Sequence, residues 1–415
     1  MPNRAKPETM PADEGRAAAT PPAPADPSTP GRAPAGSAPA ANAPAGADPA
    51  AGDVSRQGAT TAPDPVRRAG AAGAAPIRRG NTLLRHLLIA VGLGVVVVIA
   101  TYQIEPFRNY QLATIGVYLC VLPGLILLTG FNGQISLGHG ALMAAGAYPV
   151  ALTQNALGGD AQWHLLVSVL AGVVTATVLG AVVGVAAARL HGPYLAGATL
   201  AVAASVPAVT TTFDGVFGGD AGLSFALAPA PSSLGVYFPF ERWQAWLALL
   251  GAAITMLLLA NLVRSRFGRT LRAVRDDEVA AALAGIHVGR VRVLAFVVSA
   301  AGAGLGGALF AVLAQSVSPG AYGLTLSLNL MLAIVLGGLG GLRGALWGAI
   351  ALVALQPLAD WATRSFEFSA DVQQRLEGTL PLAVFGVALI VVMTTAPGGV
   401  DGLVARATRR LRRSR

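Results

Sequence analysis

The residues able to do chemistry are few in this sequence, and most of them stand alone. His139 is the notable ionisable residue inside the long apolar runs, and Asn132, Gln134 and Ser136 add polar groups beside it. An imidazole in such a place could relay a proton or bind a metal. No second ligand is spaced to share a metal with it, so a metal role is discounted. Cys120 is the only cysteine, which rules out an intrachain disulfide and a cysteine-based metal site. Lys6 is the only lysine and lies outside any G-x-x-x-x-G-K-[ST] loop, so the chain lacks the lysine that a Walker A site needs. No acid and base are paired within the apolar runs. The sequence therefore predicts a chain with no catalytic residue, no cofactor site and no metal site of its own.

One stretch is chemically dense. Residues 264–292 read R-S-R-F-G-R-T-L-R-A-V-R-D-D-E-V-A-A-A-L-A-G-I-H-V-G-R-V-R. This is too charged to cross a membrane and too periodic for a slack linker. Leu271, Val274 and Arg275 share a helical face. Asp276, Asp277 and Glu278 open a second helical turn, where acids suit the positive end of the helix. Ala280, Ala281, Ala282 and Ala284 continue it with small side chains, and Gly285 caps it. Such a helix can approach another protein closely. Spacing alone leaves open the simpler reading, a basic loop that only fixes topology.

Those residues must be positioned by membrane helices. Of 415 residues, 54% are hydrophobic and only 12% charged, against roughly 25% charged in soluble domains. Apolar runs of bilayer-spanning length, about 20 residues, fall near 83–104, 110–129, 137–156, 163–188, 193–213, 243–263, 293–316, 326–342, 344–360 and 376–395. The fold class expected is an all-α polytopic transmembrane bundle of about 8–10 spans. The eighth and ninth runs are short enough to form a re-entrant pair. Residues 1–80, rich in Ala, Pro and Gly, are expected to be disordered; 81–400 form the membrane domain; 401–415 form a basic tail. The net charge of +9 does not point to nucleic acid. Its arginines sit in the N-terminal segment, in short loops and in the C-terminal tail. That distribution places both termini and residues 264–292 on the cytoplasmic side. Arg108, in a short turn on the other side, is the one misfit.

Two runs are interrupted by glycine, one in each half of the membrane region. The first holds Gly133, Gly138, Gly140 and Gly146; the second holds Gly337, Gly338, Gly340, Gly341 and Gly344. Glycine there permits close helix packing or a broken helix, and paired broken helices are one pointer to a transport path. Packing and path both remain open at Asn132, Gly133, Gln134, Ser136, Gly138 and His139, and at Gly337, Gly338 and Gly340. The near absence of carboxylates from the spans, where Asp360 ends the ninth run, argues against a proton-coupled carrier.

Three segments carry a resemblance. Residues 130–148, G-F-N-G-Q-I-S-L-G-H-G-A-L-M-A-A-G-A-Y, residues 336–349, L-G-G-L-G-G-L-R-G-A-L-W-G-A, and the 264–292 loop are together similar to the permease family of branched-chain amino-acid ABC transporters. Gly218-Gly219-Asp220-Ala221-Gly222-Leu223 is a weaker match to the family's outward loop. The resemblance spans about residues 83–400. It implies a bacterial inner-membrane permease with a cytosolic coupling loop that seats in a groove of an ATPase. It also implies a second homologous permease, two ATPase subunits that carry ATP and Mg, an extracytoplasmic solute-binding protein and an amino-acid substrate. Glu278, Ala281, Ala282 and Gly285 are the positions it assigns to ATPase coupling. Val279 separates Glu278 from the alanines, a departure from the family's Glu-Ala-Ala. Two alternatives stand beside this reading: a related permease for urea or another small polar solute, and an ATP-independent channel or ion-coupled carrier.

Overall fold

Apolar sequence at bilayer depth can satisfy its backbone N–H and C=O groups only within helices or closed barrels, and the computed structural model is built of helices. It describes residues 82–158, 161–190, 192–235, 238–365, 386–387, 390–396 and 398–413. The segment 1–80 and most of the run 376–395 lie outside the described residues. The helices are α1 (Thr82–Gln103), α2 (Pro106–Ile126), α3 (His139–Leu157), α4 (Gln162–Ala187), α5 (Pro193–Thr212) and the short α6 (Asp214–Phe217). They continue with α7 (Phe240–Arg264), α8 (Arg266–Asp276), α9 (Glu278–Leu283), α10 (Val288–Ala314), α11 (Leu324–Gly337), α12 (Arg343–Ser365) and α13 (Gly399–Arg413).

Among the described residues six segments are long and apolar enough to cross a membrane: Pro106–Phe131, Gln162–Ala187, Pro193–Thr212, Phe240–Arg264, Val288–Ala314 and Pro319–Gly337. The expected third span is α3, which falls outside that group. It is packed between α4 and α10, so it needs less lipid-soluble surface than an outer helix. The expected eighth span starts earlier than its apolar run, because a 3-10 turn at Pro319–Tyr322 leads into α11. The basic tail from residue 401 lies within α13, which starts at Gly399.

Helix α10 is the centre, packed on α2, α3, α4 and α7. Glycines permit the closest approaches. A Cβ on Gly146 of α3 would lie 2.2 Å from the Gly304 carbonyl of α10, and one on Gly172 of α4 would lie 2.2 Å from the Gly146 carbonyl. Three backbones meet there with no side chain between them. In a bilayer, where lipid is as apolar as the core, such contact is what holds helices together. By contrast, Leu166, Leu170, Val174, Val178 and Val182 form an exposed ridge on α4, the surface expected against lipid tails.

The two ends of the bundle differ. At one end lie α8 and α9, the break after α2, the loop 338–342 and the start of α13. At the other, β1 (Leu223–Ser224) pairs antiparallel with β2 (Ser316–Val317), and Asn155 Nδ2 donates to the Ser224 carbonyl.

Candidate functional site

Helix α2 does not end cleanly. Its last residues, Leu127–Phe131, widen into a π-turn, after which 132–138 run without helix to α3. A π-turn leaves a helix out of register and often marks a working site. The irregular stretch passes inside the bundle, since Gly138 approaches Thr199 seven positions into α5. Backbone without helical bonds survives at that depth only when protein satisfies it. The partners are present. The Gln134 N–H donates to the Leu128 carbonyl (3.1 Å), the Leu137 N–H to Thr199 Oγ1 (3.0 Å) and the Gly140 N–H to Ser327 Oγ (2.9 Å).

His139 begins α3 fully buried. Its Nδ1 lies 3.2 Å from Ser136 Oγ and its Nε2 lies 2.8 Å from Ser299 Oγ on α10. Both ring nitrogens are thus engaged, one donating and one accepting. The side chain clips the break to the central helix. Among the described residues no three His, Cys, Asp or Glu side chains converge as a metal set.

Asn132 and Gln134 form the second polar unit. Asn132 Nδ2 donates to Gln134 Oε1 at 2.6 Å, and the two residues are only 3% and 4% exposed. Asn132 Oδ1 and Gln134 Nε2 have no hydrogen-bond partner among the described residues. A buried donor and acceptor left unpaired cost about 1–3 kcal/mol each. Gly133 between them has φ +73°, a left-handed conformation that glycine adopts without strain.

The two glycine-broken segments meet. A Cβ on Gly130 would lie 2.6 Å from the Leu339 carbonyl. Gly337 packs so closely on Gly344 that a Cβ would lie 2.0 Å from the Gly344 carbonyl oxygen, and Gly338, at φ +110°, packs on Gly398. Gly340 is different: open space surrounds it. The sequence could not separate this glycine from its neighbours.

The basic loop is the third part. Ser265 caps α8 by accepting from the Phe267 N–H (3.1 Å), and Asp277 Oδ1 caps α9 by accepting from the Ala280 N–H (2.9 Å). The three acids therefore do not act together, because Asp276 closes α8 while Asp277 and Glu278 open α9. Gly285 follows with φ +84°, and the Ile286 N–H donates back to the Ala281 carbonyl (3.1 Å). This left-handed ending turns the chain into α10.

Within α9 the assigned residues face different ways. Ala281 is 4% exposed and points into the bundle, whereas Ala282 and Gly285 are exposed. Glu278 Oε2 accepts from Arg292 of α10 at 2.6 Å, a tie that orients the helix. Sequence reasoning missed Val279 and Leu283, which stand one turn apart at 68% and 84% exposed. The signal was available, as both interrupt an otherwise alanine helix.

Helix α8 grips the break after α2. Arg275 donates to the Gly130 carbonyl and covers Gly133, where a Cβ would meet its Cγ at 3.2 Å. Arg272 lies over the Phe131 ring, 5.1 Å from its centroid. The loop and the polar junction are one assembly.

A multi-pass helical membrane protein whose cytosol-type basic loop clasps a buried, broken helix has the build of a transport subunit rather than an anchor. The chain belongs to the family described as branched-chain amino acid transport system / permease component, whose model matches residues 108–393. It is similar to the high-affinity branched-chain amino acid transport system permease protein LivM of Escherichia coli, 30% identical over 307 residues that cover 68% of this chain and 70% of that protein. Its similarity to LivM of Salmonella typhimurium is 29% over the same shares of each chain. LivH of Escherichia coli is 28% identical over 297 residues, 69% of this chain and 91% of LivH. No solved structure matches the chain.

Proposed function

We propose that this chain is a membrane subunit of an ABC importer for branched-chain or related small amino acids. It works with a second homologous permease, two ATPase subunits that bind ATP and Mg, and an extracytoplasmic solute-binding protein. Similarity to both LivM and LivH supports the pairing, since relatives of two names match one chain. The membrane is the bacterial inner membrane, with both termini and the 264–292 loop in the cytoplasm, as the arginines indicate.

The observation that carries this reading is the apolar pair Val279 and Leu283 on a capped, water-side helix. Isolated apolar residues on a surface need no explanation, but two on one turn of a six-residue helix invite a partner. Ala282 and Gly285 beside them let that partner approach. Glu278 and Ala281 position the helix from below.

The path for the solute borders Asn132, Gly133, Gln134, Ser136, Gly138 and His139, with Gly337, Gly338 and Gly340 across the contact at Leu339. Its unpaired amide atoms suit a small zwitterion, which offers both donors and acceptors.

Replacing Val279 and Leu283 by Asp tests the docking. Membrane insertion should persist while the ATPase subunits no longer co-purify; undiminished co-purification would overturn the assignment. Uptake of labelled leucine and of urea, each with the cognate binding protein, decides between amino acid and the urea alternative. Transport in vesicles without any ATPase would replace the proposal with a channel or carrier.

A further inference from the structure

Helices α4 and α7 both pack on α10 but scarcely on each other. Among the described residues nothing covers the strip of α10 between them, and it forms the floor of a groove of about 750 Å³. Leu166 and Leu170 form one wall, Leu250 and Leu258 the other, and Ala301 and Leu305 the floor. All four wall residues are more than half exposed. The lining is apolar along the groove except at Thr255 and, at one mouth, Gln162.

That mouth carries a further marker. Trp243 lines it, Trp163 is exposed beside it, and Trp246 meets Tyr102 and Phe238 at tilted and edge-on angles, with ring centroids 6.1 and 5.1 Å apart. Arg242 lies 4.4 Å from the Tyr102 ring. Tryptophan and tyrosine gathered at helix ends, with a cation among them, mark the headgroup level of a bilayer. The groove thus opens at headgroup level and descends along α7 from Trp243 to Leu259.

Its size decides what fits. A helix laid beside that stretch would be about 25 Å long and 10 Å across, roughly 2,000 Å³. The groove holds well under half of that. A hydrocarbon tail is thinner, and one leaflet of the core is only about 15 Å deep, so the groove accepts a whole tail. We propose that this groove is a bound-lipid site, taking one acyl chain of a phospholipid from the leaflet opposite the basic loop, its headgroup at Gln162 and Trp243.

The test uses the full-length chain in phosphatidylethanolamine–phosphatidylglycerol vesicles doped with phosphatidylethanolamine carrying a diazirine midway along one tail. After illumination, adducts are mapped by mass spectrometry at the floor (Ala301, Leu305) and at the α4 ridge (Val174, Val178), which meets ordinary bilayer lipid. The floor should be labelled at least about threefold more than the ridge, the ratio given by a packing preference of roughly 0.7 kcal/mol. Ala301→Phe, which fills the groove, should bring floor labelling down to the ridge level and leave Val178 unchanged. Equal labelling of floor and ridge in the unmodified chain overturns the proposal. So does a floor labelled less than the ridge, the result for a groove covered by a protein helix. The comparison within the unmodified chain decides the question even if the variant does not fold.

Discussion

At the scale of residues, identical side chains carry unequal weight. Gly146 and Gly340 both sit in glycine-rich runs, yet one is pressed against the Gly304 carbonyl and the other has nothing within reach. Gly146→Ala should lower the unfolding free energy by about 1–3 kcal/mol, the cost of overpacking a close contact. Gly340→Ala should leave it within about 0.5 kcal/mol; chemical unfolding in detergent measures both. His139→Phe keeps bulk but strips the ring partner from Ser136 and Ser299, and should cost about 1–3 kcal/mol by the same assay. The sequence marked His139, Asn132 and Gln134 as polar groups in an apolar run. It could not supply their partners, because Ser299 and Ser327 lie 160 and 187 positions from His139 and Gly140. Spacing reports neighbours within an element and is silent on residues that folding brings together.

At the scale of elements, the basic loop was the most legible feature and also the one most reshaped. Its two helices, its cap at Asp277 and its glycine ending follow from local rules that sequence displays directly. Which face of α9 turns outward depends on how α8 and α10 hold it, and it is Ala281 that is buried and Val279 that is exposed. The grip of Arg275 on Gly130 was equally hidden, since it joins positions 145 apart. It has a mechanical consequence under the proposed function. A push on α9 reaches the junction at Asn132 and Gln134 through α8 and this arginine. Arg275→Ala should leave the ATPase bound, because the docking face is untouched. Solute uptake should fall roughly 5- to 100-fold, the range of typical coupling energies between sites. Loss of ATPase binding in that variant would show that Arg275 shapes the docking helix instead.

At the scale of the whole molecule, the arginine distribution predicts sidedness and the folded chain groups its segments to match. The loops near Gly130, Arg275, Leu339 and Asp401 lie at one end of the bundle, and Asn155, Ser224 and Val317 at the other. Arg343 pairs with Asp401 at 3.4 Å between the first turns of α12 and α13, which the positive-inside rule places on the same side. What the folded chain adds is internal consistency, and labelling tests which end faces the cytoplasm. The chain offers a convenient background, because Cys120 is its only cysteine and is fully buried on α2. Unmodified protein should therefore resist a membrane-impermeant maleimide. Ser232→Cys and Ala284→Cys place thiols at exposed positions on opposite ends. On intact spheroplasts the first should react fully and the second should react only after lysis. The reverse pattern would invert the topology and put α9 out of reach of a cytosolic ATPase. It would also move the proposed lipid groove to the inner leaflet, since Trp243 and Ser232 share an end of α7.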